Sequence, residues 1–280
     1  SPSTWAPRHD GLFEDAPLPR PISFDEPDVS DKPAIVRNLP PMTRPQIEAM
    51  EFHYRSRLRS LQAVDDLVET VVATLEAQGL LDNTYIIYTS DNGHHMGEHR
   101  MIAGKTTAYE EDIRVPMILR GPGVAAGARI GAMVLNNDIA PTLADLAGIA
   151  PPAFVDGRSF RPLLEDPDRP WRRSFLVQRR ELETHEMHGA ARFDAIRTAD
   201  WTYVQYGDGD RELYDLTNDP HQLENRAGAA DPLLVELLAV RLAELMNCAG
   251  VDCRELEDLP VEGERTALHE EPDPRPASAQ

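Results

Sequence analysis

The stretch Tyr85-Ile-Ile-Tyr-Thr-Ser90-Asp91-Asn92-Gly93 decides the fold class of this chain. Its first residues favour β-structure, and a short apolar run that ends in a turn signal is typical of a buried strand in an α/β sheet. Ligands of open α/β sheets bind just beyond the carboxyl ends of the strands. We therefore expect Asp91 and Asn92 to lie at such an end, where a carboxylate and an amide oxygen suit a hard cation such as Ca²⁺.

The dipeptide Asn92-Gly93 also permits a plainer interpretation, because Asn-Gly after a strand is typical of a β-hairpin with a type I′ turn. A hairpin requires a second strand directly after the turn. Residues 94–104 contain three histidines and two glycines and show no alternation of apolar and polar residues, so they do not predict that strand. A loop that carries chemistry is favoured, and a plain connection stays open.

The loop after this turn is rich in groups that bind anions or transfer protons. It contains His94, His95, His99 and Lys105. The spacing of the histidines is not diagnostic of a zinc site, and loop histidines are common, so a metal bound by oxygen ligands is favoured over one bound by histidines. Lys105 could hold an anion, although most lysines in proteins are simply solvated.

The composition narrows the classes of protein to consider. The chain has 280 residues, enough for one large or two unequal domains with a sizeable core. Its 41% hydrophobic and 27% charged residues are ordinary for a globular protein, and no apolar run approaches the ~20 residues that span a bilayer. The formal net charge of −20 argues against nucleic acid and membrane surfaces as partners, whereas local cations or a metal could still attract an anionic substrate.

Alternating helix and strand signals over residues 44–148 predict α/β layering, within a first α/β domain that we place at residues 1–165. After a proline-rich, irregular opening, Thr43 is the predicted cap of a long amphipathic helix that ends near Gln78. Asp138 is predicted to cap a second helix, which ends at Leu146. The predicted strands of this domain are 85–90, 115–120 and 133–135.

After Pro151 the pattern changes to short strands at hairpin spacing. We predict a small antiparallel α+β subdomain over residues 166–254, closed by a helix over residues 232–246. Residues 255–280 are acidic and proline-rich and predict a flexible tail. The predicted strands of the subdomain are 174–179, 193–198, 201–206 and 212–216.

The two cysteines of the chain, Cys248 and Cys253, lie in the segment Cys-Ala-Gly-Val-Asp-Cys. A zinc site would need further ligands, and the nearest histidine, His269, lies in the predicted tail. A short disulfide loop is therefore favoured. A disulfide implies an oxidising compartment, so we expect a secreted, periplasmic or lysosomal protein whose signal peptide is not in this sequence.

A set of motifs extends from the Asp91 loop into the predicted subdomain. They are Thr89-Ser90-Asp91-Asn92-Gly93, Gly97-Glu98-His99, Lys105, Tyr109-Glu110, Val115-Pro116, Arg120-Gly121-Pro122-Gly123, Asn137-Asp138-Ile139-Ala140-Pro141-Thr142, Asp156-Gly157-Arg158-Ser159 and Leu213-Tyr214-Asp215-Leu216-Thr217-Asn218-Asp219-Pro220. Together they resemble the second half of a sulfatase, a family of the alkaline phosphatase superfamily. The resemblance covers about residues 1–254. It implies an α/β fold, as part of a sulfatase-type sandwich with a central mixed sheet, followed by the small antiparallel subdomain.

The resemblance also implies a chemistry. It implies a sulfuric ester hydrolase that acts on sulfated sugars, such as N-acetylglucosamine 6-sulfate, or on aryl sulfates, with one Ca²⁺ ion and a formylglycine nucleophile made from Cys or Ser. It implies that Asp91 and Asn92 are metal ligands, that Lys105 contacts the substrate sulfate, and that His99 occupies a less constant loop position. A phosphonate or phosphate ester hydrolase of the same superfamily is the alternative, and Asn92 in place of a histidine argues against it.

One motif of the family is absent from this sequence. The segment Cys/Ser-x-Pro/Ala-x-Arg, from which formylglycine is made, does not occur around Cys248 or Cys253 or at the start of the chain. The early strand that ends in two acidic metal ligands is absent too. We therefore expect the carboxy-terminal half of a sulfatase, with the remaining calcium ligands in the missing amino-terminal half. We expect this chain to be inactive alone, and a non-catalytic truncated fragment is the remaining alternative.

Overall fold

The fold combines helices with two antiparallel sheets, which confirms the predicted mixture of α and β structure. The computed structural model of the chain describes residues 3–102, 104–180 and 192–261. The helices are α1 Ala34–Arg37, α2 Arg44–Ala77, α3 Glu110–Ile113, α4 Ile139–Leu146, α5 Arg161–Glu165, α6 Pro232–Leu245 and α7 Val251–Asp258. The strands are β1 Ile86–Thr89, β2 Met117–Arg120, β3 Ser174–Arg179, β4 Phe193–Thr198, β5 Trp201–Tyr206 and β6 Arg211–Asp215.

The first sheet consists of β1 and β2. The two strands are antiparallel, with Ile86 opposite Arg120 and Thr89 opposite Met117. Within the described residues this sheet has no third strand, and the strand expected at 133–135 is not formed. The expectation of a buried central strand was wrong for this chain. None of the four residues of β1 is buried, because a two-stranded sheet leaves its outer edges and much of its faces uncovered.

Helix α2 follows the sequence prediction closely. Thr43 is its N-cap, and the backbone N–H of Thr43 donates to the Gln46 side chain at 2.7 Å in a capping box. The apolar stripe of the helix is partly uncovered in its second half, where Leu61, Leu67 and Val71 are 45%, 60% and 41% exposed. None of the described helices is both long and apolar enough to cross a membrane.

The second sheet confirms the predicted antiparallel subdomain. Its order is β3-β4-β5-β6, and each strand is antiparallel to its neighbour. Helix α6 packs on one face, where Leu238 and Leu242 contact Ile196, Tyr203 and Leu213 in a buried core. The sheet is therefore stabilised by its own hydrophobic core.

The predicted tail begins later than residue 255. Helix α7 runs to Asp258, and Val261 is 3% exposed within the core beneath α6. Glu257 of α7 is also buried and pairs with Arg172 at 2.7 Å. The prediction of a flexible tail was wrong for residues 255–261, because these contacts hold them against the sheet. Residues 262–280 lie outside the described part of the chain.

Asp138 does not have the predicted capping role, although α4 begins directly after it. No hydrogen bond joins its carboxylate to the first turn of α4. Both carboxylate oxygens instead accept from the guanidinium of the buried Arg172, at 2.7 and 2.9 Å. A charged, bidentate donor is a stronger partner than a backbone N–H. This pair joins residues on the two sides of the predicted boundary at residue 165.

Between α6 and α7 the chain forms a covalent loop. Cys248 and Cys253 are joined by a disulfide, with their Cα atoms 5.0 Å apart. The bridge links the end of the helix that covers the sheet to the helix that carries Glu257. Both sulfurs are used in the bridge, so neither is available as a thiolate ligand for zinc.

Candidate functional site

The turn after β1 is fixed by short-range hydrogen bonds. The Ser90 hydroxyl donates to the Asn92 carbonyl at 2.8 Å, and the Asn92 N–H donates to the Asp91 carboxylate at 2.9 Å. From the α4 side, the Asn136 amide donates to the carbonyls of Ser90 and Asp91, at 3.2 and 2.9 Å. The position of Asp91 and Asn92 directly beyond the carboxyl end of β1 therefore agrees with the sequence prediction.

Gly93 is used for a close approach between chain segments and not for a hairpin turn. Its N–H donates to the Asp112 carbonyl at 2.8 Å, and the N–H of His94 donates to the Glu111 carbonyl at 2.7 Å. A Cβ at Gly93 would lie 1.9 Å from the Glu111 carbonyl oxygen, which only glycine avoids. The strand that follows the loop is β2, which begins at Met117, so the plain hairpin is excluded.

Lys105 lies against both predicted metal ligands. Its ammonium donates to the Asn92 amide oxygen at 2.5 Å and lies 3.9 Å from the Asp91 carboxylate. The side chains of Lys105 and Asp91 are 53% and 84% exposed, so the group is accessible. Two hard oxygens turned towards one cation fit the ligand chemistry of Ca²⁺, although they are two of the six to eight oxygens that this ion takes.

The Lys105 loop is held by Asp112, a residue that the sequence analysis did not single out. One oxygen of this buried carboxylate accepts from the N–H of Thr106 at 2.7 Å and from the N–H and hydroxyl of Thr107 at 2.8 Å. Thr106 has a φ of 127°, a strained value for a residue with a side chain. The three hydrogen bonds offset that strain, and thereby fix the residue next to Lys105.

His99 supports the loop from the interior. Its side chain is fully buried, its Nδ1 lies 2.7 Å from the Glu26 carboxylate, and its ring stacks on Tyr109 with centroids 4.1 Å apart. Burial, with the nearby Lys32 charge, lowers the pKa of His99 to about 3. The imidazole is therefore uncharged at neutral pH. The contacts of His99 are therefore structural, and its side chain is 0% exposed.

His94 and His95 are also uncharged at neutral pH. Burial and the charge of Arg57 lower the pKa of His94 to about 4, and burial lowers that of His95. The His95 Nε2 lies 2.9 Å from the Thr107 hydroxyl, beside the Asp112 carboxylate. Across residues 3–102, 104–180 and 192–261, no three His, Cys, Asp or Glu side chains are placed to hold a metal ion.

Two family models match this chain and cover its site. Residues 8–149 match the family described as Sulfatase, which includes Asp91, Asn92 and Lys105. Residues 97–247 match the family described as N-sulphoglucosamine sulphohydrolase, C-terminal. The chain belongs to the sulfatase family.

Curated sulfatases resemble most of this chain. An arylsulfatase of Volvox carteri is 37% identical over 286 residues, which cover 90% of this chain and 44% of that protein. The N-acetylglucosamine-6-sulfatase of Bos taurus is 33% identical over 285 residues, which cover 91% of this chain and 51% of that protein. This sulfatase chain therefore spans about half the length of the curated relatives it matches.

Solved structures show the same fold. A protein solved in complex with its substrate D-glucosamine-2-N,6-O-disulfate matches with a TM-score of 0.73 and 25% identity, over 93% of this chain and 64% of that chain. The phosphonate monoester hydrolase of Agrobacterium radiobacter matches with a TM-score of 0.62 and 29% identity, over 71% of this chain and 42% of that chain.

A second buried network ties the site loop of this sulfatase chain to its C-terminal sheet. The Glu212 carboxylate accepts hydrogen bonds from the hydroxyls of Tyr109, Tyr206 and Tyr214, at 2.5, 2.6 and 2.6 Å. Burial raises the pKa of Glu212, and the tyrosine hydrogen bonds oppose that rise. Tyr109 directly precedes α3, the helix that carries Asp112. The C-terminal sheet thus supports the element that positions Lys105.

Proposed function

We propose that this chain supplies one part of the active site of a sulfuric ester hydrolase. In this proposal Asp91 and Asn92 are calcium ligands, and Lys105 contacts a sulfate oxygen of the substrate. The observation that supports it is the convergence of the Lys105 ammonium on the Asn92 and Asp91 oxygens. Ca²⁺, when bound, would stabilise negative charge on the sulfate oxygens. We propose that His99 supports the Lys105 loop through its contact with Glu26.

Lys105 has the chemistry to hold a sulfate. Its ammonium is positive and half-exposed, and among the described residues it is anchored at Asn92 and Asp91 alone. A positive group that is already in position where negative charge develops stabilises the transition state more in an enclosed site than in water. Asp112 keeps the backbone after Lys105 in place, so the ammonium needs little reorganisation when an anion arrives.

The substrates that we propose are sulfated sugars, such as N-acetylglucosamine 6-sulfate, or aryl sulfates. The names of the arylsulfatase and N-acetylglucosamine-6-sulfatase relatives support this choice, as does the disulfated glucosamine bound by a structural neighbour. We also propose an oxidising compartment, supported by the Cys248–Cys253 disulfide and by a 38% identical extracellular sulfatase homologue of Drosophila melanogaster.

We further propose a division of the chain into the carboxy-terminal portion of a sulfatase catalytic domain, residues 1–165, and an antiparallel subdomain from residue 166. The two separate sheets support the boundary, and the subdomain extends to Val261 because that residue is in its core. The exposed apolar residues of α2 and the 63% exposed Ile118 of β2 are apolar areas that a further part of a sulfatase could cover.

The experiment compares this chain with a chimaera. The purified chain with added Ca²⁺ is expected to hydrolyse neither an aryl sulfate nor N-acetylglucosamine 6-sulfate, because its sequence contains no formylglycine segment. Joined to the amino-terminal portion of the Volvox arylsulfatase, it should hydrolyse aryl sulfate and lose that activity in Lys105→Ala. Arg169→Ala, which removes an exposed charge, is the control. Turnover by the chain alone that depends on Lys105 would contradict the incomplete site.

A phosphonate ester hydrolase is the second candidate, because two phosphonate monoester hydrolases match the fold with 29% and 26% identity. The same chimaera distinguishes the two. Faster hydrolysis of an aryl phosphonate monoester than of the corresponding aryl sulfate would favour this alternative.

A further inference from the structure

The last residue of β3 brings a guanidinium to the Lys105 loop. Within the described residues β3 is an edge strand, bonded only to β4, and Arg179 lies opposite Phe193. The Arg179 Nη1 donates to the carbonyl of Thr106 at 3.4 Å. Thr106 directly follows Lys105, so a cation of the C-terminal sheet contacts the residue next to the proposed sulfate contact.

The Arg179 guanidinium differs from its neighbours in having no acidic partner in the described part of the chain. Arg197, on the adjacent strand, pairs with Glu110 at 2.8 Å, and Arg192 lies 3.8 Å from Asp194. Arg179 is half-buried, and the loss of hydration by burial lowers its pKa, with no carboxylate contribution that would raise it. An arginine remains charged at neutral pH even so.

An unpaired cation at this place is unusual for so acidic a chain. With a formal net charge of −20, carboxylates are available almost everywhere on the surface. Lys105 has the Asp91 carboxylate 3.9 Å from its ammonium, whereas Arg179 has no such anion among the described residues. An anionic ligand would provide the charge that the described residues do not.

We propose that Arg179 binds a second anionic group of the substrate, beside the sulfate ester held at Lys105, and so selects sugars that carry two anionic substituents. The proposal rests on the proposed function of Lys105 and assigns Arg179 to specificity, not to the reacting bond. A planar guanidinium with several N–H donors matches the two oxygens of a sulfate or carboxylate, which a lysine ammonium does not.

The test measures binding to the full chain by nuclear magnetic resonance, following the amide signals of Thr106 and Thr107. The two probes are D-glucosamine-2-N,6-O-disulfate and N-acetylglucosamine 6-sulfate. At low ionic strength the unmodified chain should bind the disulfated sugar about fivefold more tightly, the effect of one additional partly exposed charge contact. Arg179→Ala should remove that preference, and Arg179→Lys should restore only part of it.

Two further variants locate the effect. Arg180→Ala removes an exposed arginine next to Arg179 and should leave the preference unchanged. Lys105→Ala should weaken both sugars alike. Thermal unfolding of each variant verifies that the chain is folded.

The possible outcomes separate this inference from the proposed function. Equal affinities for the two sugars, or a preference that survives Arg179→Ala, would overturn the role of Arg179. If Lys105→Ala still weakened both sugars in that case, the proposed sulfate contact would stand. If neither sugar perturbed the Thr106 and Thr107 signals of the unmodified chain, both proposals would be overturned.

Discussion

The Lys105 ammonium lies 2.5 Å from the Asn92 amide oxygen, although the two residues are 13 positions apart in the sequence. The contact depends on Gly93, which lets the loop pass close to α3, and on Asp112, which holds Thr106 in a strained conformation. A long lysine side chain loses conformational entropy in such a contact. The described contacts of the Lys105 side chain are those with Asn92 and Asp91. The structure of the loop therefore serves to hold Lys105 at this position.

Selective labelling tests the accessibility of Lys105. Lys32 and Lys105 are the lysines of this sequence, and their side chains are 0% and 53% exposed. A mild amine-acetylating reagent should modify Lys105 in the folded chain and leave Lys32 unmodified, as read by peptide mass spectrometry. Labelling in denaturant, where both lysines should react, is the control. Equal labelling of both in the folded chain would contradict the burial of Lys32.

The support of the loop by Asp112 predicts a stability loss. Asp112→Ala removes the acceptor of three hydrogen bonds and leaves buried N–H groups unpaired, so it should cost about 2–3 kcal/mol in the free energy of unfolding. Asp112→Asn keeps one oxygen acceptor and should cost less. The measurement is unfolding in urea, with Asp82→Ala, at a fully exposed side chain, as a control expected within about 0.5 kcal/mol of the parent. Equal stability of Asp112→Ala and the parent would refute the role.

Elements with a local sequence pattern were predictable. The capping residues around Thr43 predicted the start of α2, and hairpin spacing predicted β3 to β6, because caps and turns act over a few residues. The placement of Asp91 and Asn92 after β1 was likewise predicted from a local pattern, the apolar run that ends in a turn signal. The strand expected at 133–135 failed because a short apolar run does not specify which strand, if any, it pairs with.

The buried polar networks were not predictable from the pattern. Lys32 donates to the carbonyl of Gln222, 190 positions away, and His99 pairs with Glu26, 73 positions away. Such contacts depend on tertiary packing, and a lone Glu or Lys in a sequence resembles a solvated surface residue. For the same reason Asp138 was assigned a local capping role, whereas its partner Arg172 lies 34 positions away.

The buried Glu26 predicts a dependence of stability on pH. Burial raises its pKa from 4.5 to about 7, and the Lys32 charge opposes the rise. Between these values the folded chain holds a proton that the unfolded chain has lost, so the stability contribution of Glu26 falls as pH rises. Glu26→Gln mimics the protonated acid. Its melting temperature relative to the parent should therefore rise between pH 5 and pH 8, by roughly 3 °C or more.

The control for this measurement is Glu69→Gln, at an exposed position of α2, which should show the same difference from the parent at both pH values. His99 acts in the opposite direction, because its pKa is lowered to about 3, and its contribution grows as pH rises from about 3 to 6.5. Glu26→Gln also changes a direct hydrogen-bond partner of His99, so the part of the rise above about pH 7, where His99 is largely uncharged in the folded and the unfolded chain, isolates Glu26. A difference that fell with rising pH would show that the Lys32 pairing outweighs burial.

The ion cluster of Arg172 provides the last prediction, because it joins the two units of the chain. Its side chain is 0% exposed and binds Asp138 at 2.7 Å and Glu257 at 2.7 Å. Arg172→Met would leave the buried Asp138 without its cation and Glu257 with Arg158 alone, 3.0 Å away, at a cost of about 3–5 kcal/mol in the free energy of unfolding at pH 8. Burial already raises the pKa of Glu257, and Arg172 opposes that rise. Without Arg172 the folded chain would retain the Glu257 proton to higher pH than the unfolded chain, so the loss should be smaller at pH 5.

Arg161→Met, at an arginine that is 46% exposed and 3.2 Å from Asp145, is the matched control and should cost less than about 1 kcal/mol. The measurement is urea unfolding of both variants at pH 5 and pH 8. Similar losses in the free energy of unfolding for Arg172→Met and Arg161→Met would mean that the cluster does not hold the two parts of the chain together.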